Sequence, residues 1–122
     1  MRILTIASAG ALGVLLRYGV ESVVPRHGRF PWPTLVVNLT AALLVGLLVA
    51  LLVHRLDVPM WLQASVFVGF LGGYSTFSTL SLEAVLLLEQ GRIVLGLSYA
   101  LGSVGGGILA VLLGLRLGRL IF

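Results

Sequence analysis

Eight consecutive residues near the middle of the chain combine hydroxyl side chains with glycine, in the order Gly72-Gly73-Tyr74-Ser75-Thr76-Phe77-Ser78-Thr79. The sequence around them is apolar, and a polar group in such surroundings needs a hydrogen-bond partner or a solute to bind. Other polar side chains interrupt apolar segments in the same way, namely Arg17, Glu21, Asn38, Thr40, Ser81, Glu83, Tyr99 and Ser103. Hydrogen-bond donors predominate over carboxylates in this set, which favours an anion or a neutral solute over a cation.

Several of these side chains suit a small anion that has lost its water. Tyr99 and Ser103 lie four residues apart and would share one helix face. The amide of Asn38 donates two hydrogen bonds, and the edge of the Phe77 ring carries a partial positive charge. Each also has a structural interpretation, because Asn38 can bond one helix to another and Phe77 can simply pack.

Arg17 and Glu21 are one helical turn apart in the first apolar segment. Such a pair can neutralise itself near the membrane face. Alternatively, Arg17 acts on a solute, since it is the only cation well inside an apolar segment. The sequence leaves both interpretations open.

Enzymatic chemistry is not indicated by this chain. It contains no cysteine, which excludes disulfides, thiolate metal sites and thiol catalysis. No nucleophile, base and orienting acid occur together at helical spacing, and Gly72-Gly73 lacks the Lys and the preceding strand of a phosphate loop. We therefore expect a protein that is not an enzyme.

The elements that position these residues are membrane-spanning helices. Of the 122 residues, 59% are hydrophobic and 10% are charged, and the mean hydropathy is +1.15. About 20 apolar residues cross a bilayer as a helix, so the chain holds four crossings and no soluble domain. We predict a single all-α transmembrane domain over residues 1–122, with spans at about 3–24, 35–53, 59–89 and 93–115.

The third of these segments is too long for one regular crossing. A continuous helix over residues 59–89 would be about 45 Å long, against a hydrocarbon core of about 30 Å. Gly72 and Gly73 lie at its midpoint, and each glycine costs about 1 kcal/mol of helix propensity. The sequence therefore predicts a helix that is broken at mid-membrane by these glycines.

Small residues predict close contacts between the helices. The fourth segment carries them at intervals of four, and a shorter stripe marks the first segment at Ala9 and Gly13. The stripe on the fourth segment consists of Ser98, Gly102, Gly106, Ala110, Gly114 and Gly118. Small residues let neighbouring backbones approach, so these stripes predict a tight helix bundle.

The arginines do not select one membrane orientation. With four crossings, one side receives Arg2, Arg55, Arg116 and Arg119, and the other receives Arg26, Arg29 and Arg92. A difference of one charge gives the positive-inside rule little to act on. We therefore hypothesise that the chain inserts in both orientations and assembles as an antiparallel pair.

Three motifs lie in order along the chain. They are Gly10-Ala11-Leu12-Gly13-Val14-Leu15-Leu16-Arg17-Tyr18, Thr34-Leu35-Val36-Val37-Asn38, and the stretch from Gly69 through Gly72-Gly73-Tyr74-Ser75-Thr76-Phe77-Ser78-Thr79 to Glu83. They resemble, respectively, the first-helix, second-helix and broken third-helix motifs of the Fluc (CrcB) family of fluoride channels. Tyr99 and Ser103 on the last helix agree with this resemblance, which covers nearly the whole chain.

The resemblance implies an antiparallel, dual-topology dimer with two pores in the plasma membrane of a prokaryotic cell. It would export cytoplasmic fluoride passively and so reduce its toxicity. A structural sodium ion at the dimer centre would be held by the backbone carbonyls of Gly72 and Ser75. Arg17 would supply positive potential near a vestibule, and the fluoride pathway would be lined by Asn38, Phe77, Ser78, Thr79, Tyr99 and Ser103.

The chain departs from the family pattern at Leu80, where a second phenylalanine is usual. This departure leaves open a homodimer with altered selectivity, or a heterodimer with a homologue. A non-conducting partner subunit is a further alternative. A small proton-coupled cation or drug exporter is another, in which Glu21 would be the only candidate for the proton-carrying carboxylate.

Overall fold

The computed structural model describes all 122 residues, and the chain is entirely helical. Four helical segments are long and apolar enough to cross a membrane, as predicted. The first helix is Arg2–Val23, the second is Trp32–Arg55, the third span is Met60–Glu89 and the fourth helix is Ile93–Ile121. The fourth helix continues beyond residue 115, where the sequence suggested that its apolar part ends.

Two stretches of the helices have the wider π-helical winding. One is Val49–Arg55 at the end of the second helix, and the other is Ser65–Leu71 in the third span. The second helix begins at Trp32, with Pro33 in its first turn, where a missing N–H costs nothing. The Thr34 hydroxyl, in the first turn of this helix, donates a hydrogen bond to Glu83 of the third span.

The first helix packs on the first half of the third span, residues 60–74, through glycines on both sides. A Cβ on Gly13 would collide with the carbonyl oxygen of Phe70, and one on Gly73 would lie 2.5 Å from that of Gly10. Ser65 also donates a hydrogen bond of 2.9 Å to the hydroxyl of Thr5 across this contact. The small stripe of the first helix therefore serves close backbone packing, as predicted.

The second and fourth helices form the other close pair. A Cβ on Gly114 would come within 3.1 Å of Gly46 Cα, and one on Gly118 would lie 2.5 Å from Ala50 Cβ. Nothing lies within 4 Å of the corresponding position on Gly102. The small-residue stripe of the fourth helix is thus packed inside this chain at its C-terminal end, and it is unpartnered further towards the N-terminus.

The break in the third span lies at Ser75 and Thr76. Gly72 and Gly73 are still helical, while Ser75 and Thr76 have extended backbone with ψ of 160° and 113°. The second half of the span, Phe77–Glu89, then begins with Thr76 as its N-cap. The prediction of a broken helix is confirmed, but the glycines do not make the break. Gly73 lets the first helix approach closely, and the interruption follows the two glycines.

Candidate functional site

A pair of hydrogen bonds joins the second helix to the break. Asn38 Nδ2 donates to the carbonyl oxygen of Thr76 at 2.9 Å, and Asn38 Oδ1 accepts from the N–H of Thr76 at 2.9 Å. One amide side chain therefore satisfies both backbone groups of an extended residue. Because buried backbone groups need partners, this pair stabilises the interruption where the helix no longer supplies its own bonds.

The hydroxyl of Thr76 makes the second set of bonds at the break. It accepts a bond from the N–H of Thr79 at 3.3 Å and donates to the Thr79 hydroxyl at 2.9 Å. Such a cap supplies an acceptor for an N–H group that the first turn of a helix leaves free. Asn38 and Thr76 together thus hold the backbone on the C-terminal side of the gap.

The break opens onto a groove formed by the second helix, the third span and the fourth helix. Asn38, Ser75, Phe77 and Ser103 line this groove, together with Thr76, Leu80 and apolar residues of the fourth helix. The Phe77 side chain is 76% exposed, so the chain alone does not cover it. The structure thereby brings three of the predicted pathway residues, Asn38, Phe77 and Ser103, to one surface.

Two buried hydroxyl groups of the fourth helix, of which only that of Ser103 lines the groove, lack a hydrogen-bond partner. They belong to Tyr99, which is 0% exposed, and Ser103, which is 7% exposed. The Tyr99 ring packs edge-to-face against Phe30, with centroids 5.4 Å apart and planes at 83°. Leaving a buried polar group unsatisfied costs about 1–3 kcal/mol, so an unpaired hydroxyl calls for a ligand or water.

A separate polar pocket lies near the loop between the first and second helices. Its lining includes Glu21, Arg26, Arg29, Thr79 and Glu83. Thr79, predicted for the pathway, therefore lies in this pocket and not in the groove. Glu21 is half-buried near the end of the first helix, beside the two arginines.

Four of the predicted site residues line neither surface, namely Arg17, Gly72, Ser78 and Tyr99. Ser78 is exposed at the start of the second half of the third span, and Arg17 is half-buried on the first helix. Gly72 is exposed, while Ser75 is half-buried and donates its hydroxyl to the Leu71 carbonyl at 2.9 Å. The pair predicted to hold sodium thus lies at the end of the first half of the third span.

Two features of the site were not predicted from the sequence. They are the N-cap formed by Thr76 and the hydrogen bond between Thr40 and Tyr74. The Thr40 and Tyr74 hydroxyls share a hydrogen bond of 2.8 Å that ties the second helix to the third span. A signal for Thr76 was present, because a threonine before a new helical segment is a common N-cap. No comparable signal marks the Thr40 bond, since its two members are separated by 34 positions.

The side chains offer no conventional metal centre. No group of three or more His, Cys, Asp or Glu residues lies close enough to hold an ion. The break offers backbone carbonyl and hydroxyl oxygens, which suit hard ions such as the alkali and alkaline-earth metals. The fold and the site define a small four-span membrane protein with hydrogen-bond donors grouped around an interrupted helix.

Comparison with known proteins identifies the family within this class. The family model described as "CrcB-like protein, Camphor Resistance (CrcB)" matches residues 4–115, and the chain belongs to this family. A protein of Rhizobium meliloti named "Fluoride-specific ion channel FluC" is 44% identical over 119 residues, covering 96% of this chain and 95% of the relative.

Other relatives extend this similarity to different bacteria. A protein of the same name from Pseudomonas fluorescens is 44% identical over 122 residues, covering 97% of each chain. "Fluoride-specific ion channel FluC 2" of Geobacillus kaustophilus is 43% identical over 109 residues, covering 88% of this chain and 84% of the relative. The similarity therefore spans all four helices.

Proposed function

We propose that this chain is a fluoride-selective ion channel of the plasma membrane that lets cytoplasmic fluoride leave passively and so reduces its toxicity. The observation that carries the proposal is 44% identity, over nearly the full length, to relatives named as fluoride-specific ion channels. Four membrane-spanning segments and the absence of an enzymatic constellation agree with a channel.

The donors at the break support an anion as the permeating solute. Asn38 uses one of its two N–H donors on Thr76, which leaves the second for a solute. The unpartnered hydroxyls of Tyr99 and Ser103 add two donors nearby. The second half of the third span begins at Phe77, and the N-terminus of a helix carries a partial positive charge.

The proposed pathway follows these groups. Asn38, Phe77 and Ser103 lie along the groove, with Tyr99 behind them, while Ser78 and Thr79 lie at the start of the next helix segment. Phe77 would present its ring edge to the anion, and Arg17 would raise the positive potential near the entrance. The fluoride ion would exchange its hydration water for hydrogen-bond donors that the helices already hold in place.

An antiparallel homodimer with two pores would complete the site. The exposed Phe77 and the open groove are surfaces that a second copy of the chain can cover. The near balance of arginines between the two membrane sides would allow the two orientations that such a dimer needs.

A structural sodium ion would lie at the dimer centre, between the breaks of the two copies. Its ligands would be the carbonyl oxygens of Gly72 and Ser75 from both subunits. In a continuous helix the Gly72 carbonyl would accept from Thr76 N–H and the Ser75 carbonyl from Thr79 N–H. In this structure Thr76 N–H donates to Asn38, and Thr79 N–H donates to the Thr76 hydroxyl. When bound, sodium would supply a positive charge that links the two copies at their breaks.

Anion efflux from liposomes tests the proposal. We expect the purified protein to release fluoride rapidly and chloride not at all. Phe77→Ile and Asn38→Asp should each slow fluoride efflux at least tenfold, because a tenfold loss corresponds to only about 1.4 kcal/mol of added barrier. The first removes an aromatic edge, and the second replaces donors by a negative charge.

Phe122→Ile is the matched control, since it makes the same chemical change at the C-terminal residue, away from the groove. It should leave fluoride efflux at the wild-type rate. Wild-type protein that releases no fluoride, or releases chloride equally fast, contradicts the proposed function.

A further inference from the structure

The break is held by two side chains that take backbone N–H groups away from particular carbonyls. In a continuous helix, the N–H of residue i donates to the carbonyl of residue i−4. Thr76 N–H would then donate to Gly72, and Thr79 N–H would donate to Ser75. In this structure Thr76 N–H bonds Asn38 Oδ1 at 2.9 Å, and Thr79 N–H bonds Thr76 Oγ1 at 3.3 Å.

Among the carbonyls at the break, the two whose regular donors are captured by side chains, those of Gly72 and Ser75, are the two proposed above as sodium ligands. We infer that Asn38 and Thr76 are positioning residues that keep the carbonyl oxygens of Gly72 and Ser75 free to bind a cation. This inference rests on the proposed function and deepens it. Neither side chain needs to touch the ion, because each acts by occupying a competing hydrogen-bond donor.

The Asn38 arrangement also prevents the helix from closing. Its Nδ2 bonds the Thr76 carbonyl at 2.9 Å, so both backbone groups of Thr76 are directed towards the second helix. With that amide removed, Thr76 N–H would be left to bond the Gly72 carbonyl, and a cation would have to displace it. The cation affinity should then fall even if the fold is retained.

Thr76 can be tested with little change in shape. Thr76→Val replaces the hydroxyl by a methyl group, while Thr76→Ser keeps the hydroxyl that accepts from Thr79. Asn38→Leu removes the amide at similar size. Thr40→Val is the matched control, because the Thr40 hydroxyl bonds Tyr74 and captures no backbone N–H.

The measurement is the melting temperature of the detergent-purified protein at increasing sodium concentration, from which the apparent Kd for sodium is fitted. A ligand at free concentration L that binds only the folded state stabilises it by RT ln(1 + L/Kd), so this readout does not depend on conduction. We expect the apparent Kd to rise about 2- to 10-fold in Thr76→Val and in Asn38→Leu, because a backbone N–H would then compete with the ion for a carbonyl. Thr76→Ser and Thr40→Val should match the wild type.

Fluoride efflux at varied sodium concentration, measured on the same proteins, separates the possible failures. Wild-type protein without fluoride efflux contradicts the proposed function. If the wild-type protein releases fluoride but its melting temperature does not change with sodium concentration, the sodium site is wrong, and this inference is wrong with it. Wild-type sodium affinity in Thr76→Val overturns the inference alone, and that variant decides the matter should Asn38→Leu fail to fold.

Discussion

Leu80 occupies the position at which the resemblance to the channel family predicts a second phenylalanine, and in the structure it serves packing. Its side chain is 7% exposed and packs with Leu87 and Tyr99 in one apolar cluster. It also reaches the edge of the groove that contains Phe77. Leu80 therefore supports the buried ring of Tyr99, whose hydroxyl is one of the two unpartnered donors.

Truncating Leu80 should therefore destabilise the protein. Leu80→Ala leaves a cavity against Tyr99, and such changes in a core cost about 2–5 kcal/mol. Thermal unfolding in detergent measures the effect. Leu82→Ala, two residues further along the same helix segment, is the matched control, because Leu82 is 58% exposed and its loss opens no cavity. Equal melting temperatures for the two variants would contradict a packing role for Leu80.

At the level of residues, the sequence predicted which polar side chains belong to the site better than it predicted the hydrogen bonds that they make. The spacing of Tyr99 and Ser103 indicated one helix face, and both hydroxyls are buried and unpartnered on the fourth helix. From its amide, Asn38 was expected either to donate to an anion or to bond one helix to another. Its hydrogen bond to Thr76 shows the second of these roles. The capture of the Thr76 N–H by Asn38 was not predictable, because it depends on how the second helix approaches a residue 38 positions away.

At the level of elements, the length of the third segment correctly predicted an interrupted helix, but its glycines pointed to the wrong position for the interruption. The third segment was too long to cross as one regular helix, which correctly indicated an interruption. Glycine propensity suggested Gly72 and Gly73 as the residues that break the helix, yet both are helical, and the first helix packs against Gly73. Tertiary contact overrides a propensity of about 1 kcal/mol per residue.

The packing role of the glycines can be tested within the first helix. Gly13→Ala would drive a Cβ into the Phe70 carbonyl and to 2.9 Å from the N–H nitrogen of Tyr74, where only backbone can give way. Overpacking of this kind costs about 1–3 kcal/mol. We expect a lower melting temperature, with the greatest loss of hydrogen-exchange protection in residues 65–74 of the third span.

Gly19→Ala is the matched control for this prediction. Gly19 belongs to the same helix, and nothing lies within 4 Å of the position that its Cβ would take. Alanine there should be neutral or stabilising by about 0.5–1 kcal/mol, since it gains helix propensity without a clash. The prediction fails if Gly13→Ala unfolds at or above the temperature of Gly19→Ala.

At the level of the whole molecule, the chain leaves much of its site uncovered. Phe77 is exposed, the groove beside the break is open, and Gly102 has no neighbour within 4 Å. The sequence predicted the four spans from hydropathy, because that pattern is local. How a second copy of the chain would cover this surface depends on shape and orientation, and the balanced arginines are the sequence feature that suggested two orientations.

The antiparallel pair can be tested by biasing the orientation of the chain. His54→Lys with Leu56→Lys adds two positive charges to the loop that already contains Arg55, and should fix one orientation by the positive-inside rule. His27→Lys with Glu89→Lys adds two lysines to the opposite side of the membrane. All four positions are exposed, so the added charges should leave the packing of the helices unchanged. Each variant expressed alone should lose fluoride export, measured as fluoride retained by cells, because no oppositely oriented partner is present.

Co-expression of the two biased variants decides between antiparallel assembly and simple damage. If the channel needs one chain in each orientation, the two inactive variants together should restore export to near the wild-type level. A single cysteine in place of Gln90, in this otherwise cysteine-free chain, reports orientation through its reaction with an impermeant maleimide. It should react from both sides of the membrane in the wild type and from one side in each biased variant. Full export by either variant alone, with labelling from one side only, would mean that a parallel or single-orientation assembly conducts, and the antiparallel dimer would be wrong.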